Sequence, residues 1–264
     1  MHVNSFDRYQ EGQSYIHQLD PRVKVVITIL FILSNVLLPD GAWLAFLAAW
    51  GVIVAAGFLA QMPPGYLFKR SFIVLPFTLA AVTVMFTLPG TAVATFPLGS
   101  RIITISDTGL LRFVSIIIRS WLSIQWAIWL TATTQFPDLL HALRHLHVPR
   151  LLIAIISFMY RYLFVLADEA SRLLRAREAR SAAPQGGHGG GTLLWRAKVA
   201  GGMVGQLFIR SLERSERVYN AMLARGYRGQ LLTMNPHVME TDDWLGLGTA
   251  VLILSLIQII GHLA

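Results

Sequence analysis

Five stretches of this chain are apolar for long enough, or nearly long enough, to cross a lipid bilayer, and that fixes the solvent in which it must fold. A helix needs about 20 mostly apolar residues to span a hydrocarbon core about 30 Å thick. Residues 23–38 fall slightly short and stop at Pro39-Asp40-Gly41. Residues 42–60 follow at once. Residues 71–88 carry Pro76, expected as a kink. Residues 110–131 and 244–263 complete the set. Composition agrees: 14% of the 264 residues are charged, against about 25% in a soluble domain. The expected fold class is an all-α integral membrane protein with about five transmembrane helices and a cytoplasmic helical domain.

Charge placement gives the sidedness, because membrane proteins keep Lys and Arg on the cytoplasmic side. With the N-terminus inside, the turn near Asp40 lies outside and holds no basic residue. Loop 61–70 lies inside with Lys69 and Arg70, and loop 89–109 outside with only Arg101. Region 132–243 lies inside and holds 14 of the 22 basic residues. The chain therefore divides into an amphipathic cytoplasmic or interfacial segment 1–22, transmembrane helices 1–4 within 23–131, a cytoplasmic domain 132–243, and a last transmembrane helix within 244–264. Segment 1–22 lacks the charged start, apolar middle and cleavage site of a secretory signal, so the first apolar run is expected to remain as an anchor. The net charge of +8 would point to nucleic acid in a soluble protein. Here retention charge accounts for it, and no nucleic-acid partner is expected. Residues 151–167 are apolar but contain Arg161 and run into Asp168-Glu169. A lone crossing there would put 172–228 outside. The stretch is read as part of a long cytoplasmic helix, partly sunk in the membrane; two further crossings would also preserve the parity.

Within 110–131, Arg112, Ser115, Arg119 and Ser123 recur at spacings of three and four and so share one helical face. Arg119 sits near mid-span, where an ionisable side chain is costly and tends to face a bundle interior or a partner. This intramembrane polar seam serves substrate passage or subunit contact on one reading. On the other, its arginines snorkel from a tilted helix.

Two helix ends in the cytoplasmic region repeat one theme. A short amphipathic helix opens at Phe136-Pro137-Asp138 and closes at Val148-Pro149. A long helix is then predicted over 150–181 and another over 192–225, separated by a flexible Gly-rich linker, 184–191. Ala179-Arg180-Ser181 ends the first, and Ala224-Arg225-Gly226 ends the second. Small neighbours let a partner surface approach the arginine, whose guanidinium can grip a carboxylate bidentately. A basic residue merely favoured at a helix C-terminus would look the same. Gly226 suits a left-handed C-cap.

No catalytic apparatus is found. The sequence has no Gly-Lys pair, which excludes a P-loop. No span carries His-Glu-x-x-His, a Gly-x-Ser-x-Gly elbow or an Asp pair. There is no cysteine. His141, His145 and His147 are close enough in sequence to chelate a metal, but Asp138 is the only acid within a turn of them. His2 and His188 each stand alone. The chain is expected to be no enzyme, to hold no metal and to bind no cofactor.

Several motifs resemble the T components of energy-coupling-factor (ECF) transporters. Leu19-Asp-Pro-Arg-Val-Lys24 before the first span is similar to that family's start. Residues 221–229, Ala-Met-Leu-Ala-Arg-Gly-Tyr-Arg-Gly, resemble its second Ala-Arg-Gly signature, and 175–181, Arg-Ala-Arg-Glu-Ala-Arg-Ser, the first. Phe136-Pro137, Leu146, Val148-Pro149 and Tyr160-Arg161-Tyr162 fit as well. Asp7-Arg8-Tyr9 ahead of His17-Gln-Leu-Asp-Pro-Arg looks most like CbiQ, the T component of cobalt transporters. Ser181 departs from the family's usual glycine, and serine tolerates a left-handed cap less well.

The resemblance implies a membrane-embedded coupling subunit of an ECF-type ABC importer. Ala179, Arg180, Ser181, Ala224, Arg225 and Gly226 would dock in grooves on cytoplasmic, CbiO-like ATPase subunits. Those partners would bind ATP and Mg and hydrolyse the ATP. Their closure would be transmitted through the two long helices of a coupling domain to a CbiM-like substrate-binding membrane subunit, with a small CbiN-like subunit in some systems. Cobalt ion is the implied cargo of the complex, and the bacterial cytoplasmic membrane its place. The same family also serves nickel, biotin and vitamin importers. From a different class, a self-contained channel or secondary carrier would need paired ionisable residues inside the spans. Arg112 and Arg119 have no intramembrane acid beside them in sequence.

Overall fold

The computed structural model describes residues 9–12, 14–63, 65–74, 76, 81–98, 101–180, 192–229 and 239–263. Ten helices and one hairpin make up the described chain. A single turn, α1 (Tyr15–Gln18), precedes α2 (Pro21–Leu37). Asp20 caps α2 by accepting from the Arg22 N–H at 2.8 Å, and Pro21 takes the first position, where no donor is needed. The helix ends at Leu38 because the residue before a proline is driven to extended backbone. Gly41, at φ +84°, turns the chain into α3 (Trp43–Leu59).

The described parts of the expected span 71–88 are not one helix. Ser71 closes α4 (Gly65–Ser71), Phe72–Val74 is a 3-10 turn, and α5 (Val84–Thr87) is a single turn. Pro76 removes a backbone donor between them; residues 75 and 77–80 lie outside the described residues. The stretch read as an outer loop carries an antiparallel hairpin, β1 (Ala92–Leu98) with β2 (Arg101–Ser106). Thr95 pairs with Thr104 and Phe96 with Ile103, and a bulge lies near Ala92. β-Branched residues dominate β2, as a pleated pairing favours.

Ser106 caps α6 (Asp107–Thr133) by accepting from the Gly109 N–H at 2.9 Å. Then follow α7 (Phe136–His145), α8 (Arg150–Arg180), α9 (Leu193–Ala224) and α10 (Thr241–Leu263). By length and composition α6, α8 and α10 could each cross a membrane, and α3 is a shorter apolar helix. The apolar first half of α8 thus has the character of a span, although charge counting assigns it to the cytoplasmic region. The linker 184–191 lies outside the described residues.

The chain forms two compact units. In the larger, α2 packs against α6, α7 and α10. Phe31 stacks on Trp126 with ring centres 4.4 Å apart, and the Trp126 indole N–H donates to Thr28. Ala45, Ala49, Ile53, Leu122 and Ile257 close the core around them. Gln258 of α10 donates to the Ser34 carbonyl (2.5 Å) and hydroxyl (2.8 Å). Such cross-helix hydrogen bonds and small residues hold membrane helices together, where burial from lipid supplies little drive.

The smaller unit contains α8 and α9. Residues 155–166 of α8 line a groove with 208–215 of α9, and 170–177 line another with 200–207. The two helices therefore run in opposite senses. Between the grooves, Arg210 holds Glu169 at 2.9 Å.

Candidate functional site

The end of α9 is a fully formed Schellman cap. The Gly226 N–H donates to the Leu223 carbonyl at 2.9 Å and the Tyr227 N–H to the Met222 carbonyl at 3.0 Å. Both bonds require a left-handed residue between them, and Gly226 has φ +81°. Met222 and Tyr227, the positions where such a cap places an apolar contact, are half-buried. Ala224, Arg225 and Gly226 are all exposed. Ala179 and Arg180 are exposed at the end of α8, while Ser181 lies outside the described residues. Neither Arg180 nor Arg225 makes an ion pair among the described residues. Because α8 and α9 are antiparallel, these arginines sit at opposite ends of the pair. From the Glu169–Arg210 crossing, Arg180 lies about 16 Å along one helix and Arg225 about 22 Å along the other.

The four seam residues all meet α2 or the α2–α3 turn. Arg119 donates to the Leu38 carbonyl at 2.6 Å and to the Asp40 carboxylate at 2.7 Å. Arg112 reaches the other Asp40 oxygen at 3.7 Å. The Ser115 hydroxyl accepts from the Gly41 N–H, and that of Ser123 accepts from the Asn35 amide. Asn35 also donates to the Arg119 carbonyl at 2.8 Å. The expectation concerned acids inside the spans; the acid that these arginines meet comes from the turn between α2 and α3. Asp40, read as part of an exposed turn, serves both.

A second polar cluster gives Leu19-Asp-Pro-Arg-Val-Lys24 a physical role. Lys24 is 2% exposed and donates to the carbonyls of His17 (3.0 Å) and Thr133 (3.3 Å). Asp20, Asp138 and Asp243 supply the negative charge around it. The Asp20 N–H donates to Asp243 at 2.7 Å, and the other Asp243 oxygen accepts from the Glu240 N–H. Arg22 lies 3.1 Å from the His141 ring nitrogen Nε2. The cluster joins the starts of α2 and α10 to the end of α6 and to α7. Sequence reading missed this, because a lysine at the head of an apolar run looks like retention charge.

His141 and His145 have ring centres 4.6 Å apart, but His141 Nε2 faces Arg22 and His145 Nδ1 faces the His141 carbonyl. No group of three or more potential metal ligands occurs among the described residues. His17, outside the spans, has its pKa lowered, first by burial and then by the nearby Lys24 charge, against a raising bond to the Gln10 carbonyl.

Residues 12–236 match the family of CbiQ, cobalt transport protein. The chain belongs to the CbiQ family. Among curated relatives, the transmembrane protein EcfT of the energy-coupling factor transporter of Brevibacillus brevis is 30% identical over 84% of each chain. That of Lactobacillus helveticus is 28% identical over 96% of this chain and 92% of its own. An uncharacterised protein of Methanocaldococcus jannaschii is 26% identical over 96% of this chain and 85% of its own. Membership of a family of transport proteins, with apolar helices of spanning length, makes the chain a multi-pass membrane protein. The resemblance drawn from the Ala-Arg-Gly and Leu-Asp-Pro-Arg motifs is borne out at the level of family.

Proposed function

We propose that this chain is the T component of an ECF-type importer, the coupling subunit between cytoplasmic ATPases and a substrate-binding membrane subunit. The observation that carries this is the placement of Arg180 and Arg225. Each is exposed at a helix end, and the two lie at opposite ends of an antiparallel pair. A pair of similar ATPases, each with an acidic groove, matches that placement: one guanidinium enters each groove and binds carboxylate bidentately. The ATPases supply ATP, Mg and hydrolysis. Ile155, Met159, Phe208 and Leu212 on the same helices are more than half exposed, which suits a face turned to lipid or to the substrate-binding subunit. The family description favours cobalt ion as cargo, with CbiO-like and CbiM-like partners. The EcfT relatives carry no cargo in their names, so nickel, biotin or another vitamin is the alternative. A self-contained carrier is disfavoured, because the acid that Arg119 and Arg112 meet, Asp40, belongs to the α2–α3 turn and not to a span.

The test is charge reversal. Arg225→Glu is expected to abolish co-purification of the ATPase and substrate uptake, with the chain still inserted in the membrane. Arg180→Glu should act in the same direction. Retention of both partner and uptake in Arg225→Glu refutes docking. Uptake by the purified chain alone in proteoliposomes revives the carrier. Metal analysis of material bound by the intact complex decides the cargo.

A further inference from the structure

Two chain connections join the arginine-bearing helices to the larger unit, and both arrive at the same cluster of buried charges. The smaller unit takes in 146–235, so the chain leaves the larger unit at the end of α7 and returns to it before α10. Only residues 146–149 separate α7 from α8. Among them His147 holds a left-handed backbone, φ +63°, and Pro149 has its φ fixed by its ring. So short a connection leaves little slack between α8 and α7. On the return, the Glu240 N–H is tied to Asp243 in the first turn of α10 at 2.9 Å.

The head of α2 holds these same two elements, α7 and the start of α10. Arg22 meets His141 of α7, and Asp138 in the first turn of α7 adds to the negative charge around Lys24. The Asp20 N–H donates to Asp243, and the Tyr15 hydroxyl donates to the Asp242 carbonyl at 3.3 Å. Gly246 of α10 runs so close that a Cβ there would lie 3.3 Å from Leu19. Asp20, Lys24 and Asp243 are 4%, 2% and 5% exposed. Apolar side chains of similar volume often stabilise a fold as well as a buried ion cluster does. What paired charges add is one fixed alignment, which apolar helix faces in lipid have little drive to hold.

We propose that Asp20, Lys24 and Asp243 are positioning residues for coupling: they clamp α7 and the start of α10 to the head of α2. A displacement of α8 and α9 enters the larger unit only through those two elements, because the chain connects nowhere else between 146 and 235. With the clamp closed, α2, α7 and the start of α10 move as one body. With it open, the displacement is lost in bending at the two connections. This role rests on the chain's being the T component, and it does not depend on the cargo.

The test measures distances between spin labels in the full chain, labelled before assembly with its ATPase and substrate-binding subunits in nanodiscs. Leu37→Cys with Leu245→Cys reads the start of α10 against α2; both leucines are exposed. The contacts of Asp20 with Asp243 and of Ser34 with Gln258 show α2 and α10 running in parallel. Leu245 therefore lies level with about residue 22, some 15 residues or about 22 Å along the helices from Leu37. Leu37→Cys with His145→Cys, at the exposed end of α7, reads α7. With the clamp intact, each pair should give one narrow distance that ATP and Mg leave unchanged. Asp243→Asn, which keeps the shape and removes the charge, should bind the ATPase with parent affinity and keep the narrow α10 distance without ATP. On ATP that distance should shift or broaden. Lys24→Met should do the same to both pairs. ATP-independent distances in both variants overturn the clamp, and so does a distance that already moves with ATP when the clamp is intact. Failure of the parent chain to bind the ATPase at all overturns the T-component reading instead.

Discussion

Gly226 works through its backbone alone. At φ +81° it lets the last carbonyls of α9 find donors, and a Cβ there would touch no other atom. Substitution therefore carries a torsional cost of about 1–2 kcal/mol without a steric one. Relief of that strain would unwind the cap and turn Arg225 away from its exposed position. Gly226→Ala is expected to weaken ATPase binding about 5- to 30-fold, measured by titrating purified ATPase onto the chain in nanodiscs. Gly226→Asn should be milder, because asparagine enters the left-handed region more easily. Parent affinity in both variants would show that the cap does not aim Arg225. This glycine was legible in the sequence, since a helix end followed by glycine is a local signal. Lys24 was not. Its burial rests on a carbonyl 109 residues away and on Asp138 and Asp243, which no local pattern connects to it.

Among the elements, α6 is fastened to the α2–α3 turn by polar groups rather than by apolar packing alone. Arg119 is the principal bolt: its side chain is 18% exposed, and it spans two acceptors. Arg112 is 55% exposed and reaches Asp40 only at 3.7 Å, so it contributes little. A double-mutant cycle of Arg119→Met and Asp40→Asn is expected to give a coupling energy of about 1–3 kcal/mol. The Arg112→Met cycle should give under about 1 kcal/mol. Thermal unfolding in detergent reads both, and equal couplings would contradict the geometry. Periodicity found this face, because residues three and four apart on a helix are neighbours. It could not find Asp40, which comes from a turn about 80 residues away. The hairpin 92–106 was missed for a related reason. Apolar runs of spanning length dominate the reading, and a pair of short β-branched segments registers as the loop between them.

For the whole molecule the open quantity is parity, and the chain offers a clean way to measure it. It contains no cysteine, so single-cysteine variants carry no background. The positive-inside count places Asp40 outside and 132–243 inside, with α8 not crossing alone. The composition of α8 permits a crossing. If α8 crossed once by itself, Arg180 and Arg225 would face away from any cytoplasmic ATPase. Asp40→Cys in intact cells is expected to react with a membrane-impermeant maleimide. Asn220→Cys, on the solvent-facing part of α9, should react only after the cells are opened. Its carboxyl-free amide forms no ion pair, so the exchange should leave folding intact. Labelling of Asn220→Cys from outside would reverse the sidedness of both arginines and end the docking proposal, whatever the family relationship. Protection from outside together with loss of ATPase in Arg225→Glu would tie the charge pattern of the whole chain to the work of two side chains.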